Sequence, residues 1–464
     1  METSNEQQGK FGEMVKKSIT TRMIMIGILI IILLIPLSYI EELITERKNR
    51  QQEVVEEINQ KWGEEVLFYG PILKVPYKSY LTKNIYNEKS KVWEKEVIEN
   101  INYAYLFPEK LKISSNINPE EKTRGIYKTA VYQSKINING NFIKPNFSDK
   151  EIKDEDILWD KTQIIVKTTN LKGANKLFEI EINKNNYPFT SSSFINENRN
   201  LTQLNSENIN LYELESTVLK INDLPKEKVM SFSMDISMKG SKQIQFIPIG
   251  KETDVNIQSD WKTANFIGEY LPFNSDKITQ NGFDAKWKIL DINRPFSQKH
   301  YTKIPDLNDF SFGVNFMIPV DEYQKSERSA KYGFLVIGLT FLIFFLIQTL
   351  SKIHIHPFQY LMIGIALTMF YTLLISISEH SSYLKAYIIS GISVILLITL
   401  YSKSILKGLK FPFLIGTSLT ALYAFIFVII QLENYALLVG SIGLFVILAA
   451  VMYASRKIDW ENNL

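Results

Sequence analysis

The chain has 464 residues, with 52 Lys and Arg against 49 Asp and Glu, 45% hydrophobic residues and no cysteine. That length is enough for two or three folded units. The lack of cysteine excludes disulfides, thiolate metal sites and a cysteine nucleophile. A mean hydropathy of −0.04 averages two unlike parts, a polar body and an almost wholly apolar last third. Residues 41–331 hold 41 basic and 42 acidic residues without a basic run, so no electrostatic footprint for nucleic acid is present.

In chain order, residues 1–22 carry Lys10, Lys16, Lys17 and Arg22 ahead of an uncharged stretch, 23–40 (MIMIGILIIILLIPLSYI). Eighteen apolar residues are about enough to cross a hydrocarbon layer of roughly 30 Å. The stretch ends in SYIEELITER, without the small residues of a signal-peptidase site, so it reads as an uncleaved anchor. The following segment, EELITERKNRQQEVVEEINQKW, spaces Leu43, Ile44, Val54, Val55, Ile58 and Trp62 by three and four among charges. That spacing predicts a helix ending before Gly63, and Gly70-Pro71 predicts a further break.

From residue 70 to 320 the period changes to two. Phe232, Met234, Ile236 and Met238 alternate with Ser231, Ser233, Asp235, Ser237 and Lys239. Gly240-Ser241 and the alternating QIQFIPI then predict a hairpin with one buried face. Phe178, Ile180 and Ile182 alternate likewise, as do Ile136 and Ile138 before Gly140. The expectation is a mainly antiparallel β domain, two stacked sandwiches in form, with a softer Asn- and Lys-rich region at 183–212.

Five more apolar segments follow Lys331, at about 332–350, 358–378, 384–402, 411–431 and 435–454. The only Asp, Glu, Lys or Arg among them is Lys385, at an edge where its stem can snorkel. Lys352, then Lys403, Lys407 and Lys410, then Arg456 and Lys457 fall on one side of the resulting zigzag. Glu379 and Glu433 fall on the other. The positive-inside rule then places both termini in the cytoplasm and the large insert outside. The expected organisation is a cytoplasmic N-terminus (1–22), an anchor (23–40), a β-rich periplasmic domain with an N-terminal helix (41–331), a five-helix bundle (332–454) and a cytoplasmic tail (455–464).

Chemistry-bearing candidates are few. His354 and His356 in HIHP are spaced i, i+2 without a third ligand nearby, a weak metal pattern. Glu379-His380 is either an acid–base pair or a solvated turn. Within the bundle only neutral polar groups such as Gln348, Gln359 and Ser376 are available, which disfavours an ion-coupled pathway. The chain lacks G-x-S-x-G, H-E-x-x-H and Walker-type loops. Scattered carboxylates leave glycan hydrolysis open. No residue is assigned a catalytic, cofactor-binding or metal role, and no cofactor is expected.

The segments DFSFGVNFMIPVDEYQKSERSAKYGFLVIGLTFLIFFL (309–346) and IHPFQYLMIGIALTMFYTLLISISEH (355–380) resemble the CreD family of bacterial inner-membrane proteins, also called cell envelope integrity proteins. LLIPL with LITER, GPILKVPY, LFPEKLKI with RGIYKTAVYQS, and the run from GSKQIQFIPIGKETDVNIQSDW to NGFDAKW agree in order. The resemblance implies a multi-pass inner-membrane protein linked to envelope stress, and it supplies no catalytic residue. In the juxtamembrane PVDEYQKSERSAKYG, one reading makes Asp321, Glu322, Lys325, Glu327, Arg328 and Lys331 a solvated collar, with Tyr323 and Tyr332 at the headgroups. The other reading is a ligand site.

The expected protein is therefore a non-enzymatic inner-membrane protein with a helical anchor, a five-helix bundle and a large mainly-β extracytoplasmic domain. Its expected role is support of envelope integrity and stress tolerance. The alternatives are a transporter or flippase-like protein for an envelope component, and an extracytoplasmic enzyme acting on glycan or lipid. Expected partners are the lipid bilayer and other envelope proteins, with no nucleic acid; the identity of any small-molecule ligand stays open.

Overall fold

The computed structural model describes residues 19–87, 92–196, 210–225, 229–316, 322–351, 353–406, 408–432 and 435–456. Several residues of the topology and collar readings lie outside that set: Lys10, Lys16, Lys17, Asp321, Lys352, Lys407, Glu433 and Lys457. The chain divides into two compact units, Met1–Gln52 with Val320–Leu464, and Glu53–Pro319.

The first unit is helical. Its elements are α1 (Ile19–Trp62), whose last turns belong to the other unit, α2 (Glu322–Lys331), α3 (Gly333–Ser351), α4 (Pro357–Ser378), α5 (Tyr383–Ile405), α6 (Lys410–Gln431) and α7 (Ala436–Ser455). Among the described residues, six helices are long and apolar enough to cross a membrane, all of these except α2. The anchor and the helix expected after it are one 44-residue helix that runs through Pro36. A proline costs a helix one backbone hydrogen bond, a loss that packed neighbours absorb in membrane helices.

One stripe of α1 is buried: Ile19, Ile26, Leu33, Leu37, Ile40 and Ile44. Steps of seven, then four and three, place all six on one helical face. Leu33 seats against Gly364 of α4, where a Cβ would lie 2.1 Å from the leucine Cδ1. A larger residue there would force the Leu33 side chain to shift, so glycine lets the two helices approach closely. Around this contact, Phe341, Phe344, Tyr360, Phe370, Tyr371, Tyr387 and Tyr423 fill the bundle interior. Helix α7 buries no residue.

The second unit is β-rich. Four long strands come first: β1 (Val66–Asn87), β2 (Val92–Leu106), β3 (Lys110–Arg124) and β4 (Tyr127–Phe142). Then come β5 (Gln163–Thr168), β6 (Glu179–Ile182), β7 (Asn185–Asn196) and β8 (Asn210–Ser216). The remainder are β9 (Met230–Ser241), β10 (Gln243–Phe246), β11 (Glu252–Ser259), β12 (Ala264–Gly268), β13 (Ile278–Thr279), β14 (Gly282–Leu290), β15 (Lys299–Tyr301) and β16 (Phe312–Phe316). The hydrogen-bonded path is β12-β16-β10-β1-β5-β8-β7-β6-β9-β4-β3-β11-β14-β13, with β2 paired to β1 and β15 paired to β2. Among the named strands, β1 with β10 and β3 with β11 are parallel pairs, and the other ladders are antiparallel.

The sheet curls until strands near its two ends meet through side chains. Phe266 of β12 packs edge-on against Phe283 and Trp287 of β14 at 5.9 Å between ring centres. One apolar cluster, from Val66 to Phe316, lies inside. The expected pair of stacked sandwiches is thus a single nearly closed sheet around one core. The alternation expected in β9 is present, with Phe232, Met234, Ile236 and Met238 buried and Ser231 and Asp235 exposed.

The hairpin is not formed. A tight hairpin needs a two-residue loop of matching twist. Here a single left-handed residue, Lys242 at φ 55°, redirects the chain. Strand β10 then pairs in parallel with β1 and antiparallel with β16, while β9 lies between β4 and β6. Gly70-Pro71 likewise does not end a strand. It sits inside β1 as a bulge, where the register against β5 shifts between Tyr69 and Ile72. Pro71 has no N–H to give the ladder. Gly70, at φ +142°, leaves no room for a Cβ, which would lie 2.8 Å from Cγ1 of Val166. The Asn- and Lys-rich stretch is described at its ends as β7 and β8, and its middle, 197–209, lies outside the described residues.

Candidate functional site

Two polar arrangements stand out, one in each unit. In the helical unit, α2 carries Tyr323, Ser326, Ser329 and Ala330 on its buried face. Tyr323 donates from its hydroxyl to Glu379 Oε1 at 3.4 Å, and Arg47 Nε lies 3.6 Å from the same oxygen. The Tyr383 amide donates to Glu322 Oε1 at 3.3 Å. Ser329 Oγ and the Tyr383 hydroxyl are 2.6 Å apart.

Beside them, Lys331 donates to Glu327 Oε1 at 2.9 Å, and Lys48 Nζ lies 3.7 Å from Glu327 Oε2. The Lys331 hydrogen bond, with its charge and that of Lys48, holds the Glu327 carboxyl below the usual range. The collar expectation departs at Tyr323, which is buried and bonded to Glu379 in the turn after α4, while Lys331 is exposed and Glu322, Lys325, Glu327 and Arg328 are part-exposed. The cluster ties α1, α2 and that turn together with paired charges.

The acid–base pair expected as one option at Glu379-His380 has a different neighbourhood. Glu379 faces Arg47 and Tyr323, and His380 is exposed. In HIHP, His356 caps α4: its Nδ1 accepts from the Phe358 amide at 3.2 Å, and Gln359 Oε1 accepts from the His356 amide at 2.9 Å. His354 is exposed. Among the described residues, no group of three or more His, Asp and Glu is placed to hold a metal ion. Gln348 accepts from the Tyr360 hydroxyl at 2.9 Å inside the bundle, and Ser376 is exposed. These neutral groups serve separate local contacts.

In the β unit, the last turns of α1, the start of β1 and the β9–β10 junction enclose a recess of about 240 Å³. Lys242 stands at its rim, 3.3 Å from Glu56 Oε2 and 3.4 Å from Glu65 Oε1. Partial burial works against the Lys242 ammonium, but Glu65 and Glu56 outweigh it and raise its pKa above the ordinary value. Gln243 donates to the other Glu65 oxygen at 2.6 Å, and Lys172 lies 3.5 Å from Glu64.

The walls are held from behind. Thr129 donates to Asn59 Oδ1 at 3.1 Å. Thr169 accepts from the Leu67 amide at 2.9 Å and donates to the Glu65 carbonyl at 2.6 Å. Three lining residues retain buried polar atoms without a partner: Asn59 Nδ2, Ser241 Oγ and Asn308 Oδ1. Sequence reading missed this site. Its residues come from four distant stretches, and the only local sign was the Gly-Ser-Lys turn after β9.

A bundle of apolar helices, with a large β unit inserted between the first and the rest, defines a multi-pass membrane protein. The chain belongs to the CreD family: the family model described as "Inner membrane protein CreD" matches residues 18–461. It is similar to the Inner membrane protein CreD of Escherichia coli (strain K12), with 27% identity over 435 residues, covering 93% of this chain and 91% of that protein.

Proposed function

We propose that the chain is a non-enzymatic protein of the bacterial cytoplasmic membrane that supports envelope integrity and stress tolerance. In this reading both termini are cytoplasmic and the β unit is periplasmic, in keeping with basic residues in alternate short loops. Its partners are the bilayer and other envelope proteins. The observation that carries the reading is the bundle interior. Among the described residues, α3 to α7 bury no Asp, Glu, Lys or Arg, and aromatic rings fill the centre. An ion-coupled transporter needs ionisable groups along its path, whereas a scaffold does not.

The test is complementation of a strain lacking the protein. The full chain restores tolerance to detergent and to envelope-targeting antibiotics. A chain truncated near Tyr323, shown by immunoblot to accumulate in the membrane, does not restore it. Failure of the full chain to restore tolerance overturns the proposed role. Full rescue by the truncated chain reduces the bundle to a second anchor.

A further inference from the structure

We infer that the outer edge of β2 pairs with the same edge of a second copy of this chain, antiparallel and two-fold about Val97. Strands β1 and β2 form a ribbon of ten ladder pairs from Lys78↔Ile101 to Asn87↔Val92. Along it both have left the sheet, since β5 accompanies β1 only from Phe68 to Lys74 and β15 accompanies β2 only from Ala104 to Leu106. Among the described residues, no strand pairs with Val92–Ile101 on the side away from β1. This edge has no proline and its register against β1 is unbroken. Its outward backbone groups are therefore spaced regularly for another strand. The β1 edge is less open: the Leu158 amide donates to the Pro76 carbonyl at 2.9 Å, and the Tyr80 hydroxyl to Asp156 at 2.8 Å.

The side chains choose the partner. Alternation puts Trp93, Lys95, Val97, Glu99 and Ile101 on one face of β2, and all five are exposed. A two-fold axis normal to the ribbon keeps each face on its own side, so it passes through a residue. Through Val97, it sets Val97 opposite Val97 and, to either side, Lys95 opposite Glu99 and Trp93 opposite Ile101. Apolar meets apolar and each lysine meets a glutamate, the pairs that stabilise an antiparallel ladder. Moving the axis to Lys95, Glu96 or Glu99 sets like charges opposite. Moving it to Ile98 sets Lys95 on Ile101 and Glu99 on Val97. Within its own ribbon Lys95 faces Asn84, and Glu99 Oε1 lies 2.9 Å from Lys78 Nζ, which leaves the second carboxylate oxygen for the other copy's lysine.

The chain has no cysteine, so Val97→Cys supplies one thiol per copy, on the axis and within disulfide reach of its mate. Oxidation of membranes holding the full chain should give a product of twice the chain mass on a non-reducing gel. Lys83→Cys is the comparator: three strand spacings of about 4.8 Å separate its two thiols, so it should not cross-link. Lys95→Glu and Glu99→Lys, each alone in the Val97→Cys chain, set like charges opposite at two positions. Each should lower the cross-linked fraction about tenfold. Coexpressed with different tags, the two variants restore opposite charges at both positions, and the mixed dimer should recover.

Absence of the double-mass product from Val97→Cys overturns the inference, as does equal cross-linking of Lys83→Cys or indifference to the charge changes. A thiol adduct of some other mass in its place also overturns it and assigns the edge to a different protein. If Val97→Cys fails to accumulate, light scattering of the unaltered chain in detergent carries the test. A dimer that Lys95→Glu dissociates supports the pairing; a monomer, or a dimer that ignores that change, overturns it.

Discussion

Arg47 and Glu379 meet across the helical unit, with the guanidinium Nε 3.6 Å from the carboxylate Oε1. The same oxygen accepts from the Tyr323 hydroxyl, so one carboxylate joins α1, α2 and the turn after α4. The arginine side chain is 44% exposed, and solvent screens a pair of this kind to about 1 kcal/mol or less. Glu379→Ala should therefore lower the unfolding free energy by about 1 kcal/mol once the tyrosine contact is included. A double-mutant cycle with Arg47→Ala, read by denaturant unfolding in detergent, should show coupling; strict additivity would rule the pair out as a stabilising contact.

Strand β9 gives a two-sided test of register. Ile236 is buried in the core and Ser237 faces outward opposite Lys135. Ile236→Asp sets an unpaired carboxylate in an apolar layer and should cost several kcal/mol, on the order of 3 or more. Ser237→Asp should be within about 0.5 kcal/mol of neutral, given a lysine across the ladder. Limited proteolysis and melting of the two variants separate the cases, and equal tolerance would refute the strand's facing.

Asp223 is a buried carboxylate whose hydrogen-bond partners among the described residues are neutral. It accepts from Asn183 Nδ2 at 3.1 Å, from Asn185 Nδ2 at 2.8 Å and from the Tyr187 hydroxyl. Burial, together with the bond to Asp223, pushes the Tyr187 phenol up to about 12. Asp223→Ala leaves these donors without an acceptor and should cost about 2–4 kcal/mol. Asp223→Asn keeps the shape and should lower the pH of one tyrosine transition in the ultraviolet titration. An unchanged titration would mean that the hydrogen bond does not reach Tyr187.

Acid should loosen the α2 cluster through Glu327. Its folded pKa is depressed by Lys331 first and Lys48 second. The unfolded value is about 4.3. A depressed carboxyl contributes its stability fully above the unfolded pKa and loses it as pH falls through the folded one. Thermal stability should thus drop below about pH 4, with a shallower drop in Glu327→Gln. Identical pH profiles for the two proteins would remove Glu327 from the account.

Membrane orientation can be read directly with fusion reporters. An enzyme active only in the cytoplasm should work when fused after residue 406 or at the C-terminus. One active only outside should work after residue 200 and near Ser381. Cytoplasmic activity after residue 200 would invert the arrangement.

The sequence alone determined the spans, because crossing a bilayer demands an uninterrupted apolar length that no tertiary context can supply. It also determined which faces of β9 and of the strands near Ile136 and Ile180 turn inward, since period two forces the choice once one face is buried. Strand partners were decided elsewhere. QIQFIPI alternates as any hairpin strand would, yet one left-handed residue at Lys242 sends it to β1 and β16. Backbone ladders accept any partner of matching length, so pairing belongs to the closure of the whole sheet. The same holds for both polar sites. Arg47 has no local reason to seek Glu379, nor Asn59 to share a recess with Ser241 and Asn308. Such contacts form because burying the apolar stripe of α1 and closing the β core bring those positions together.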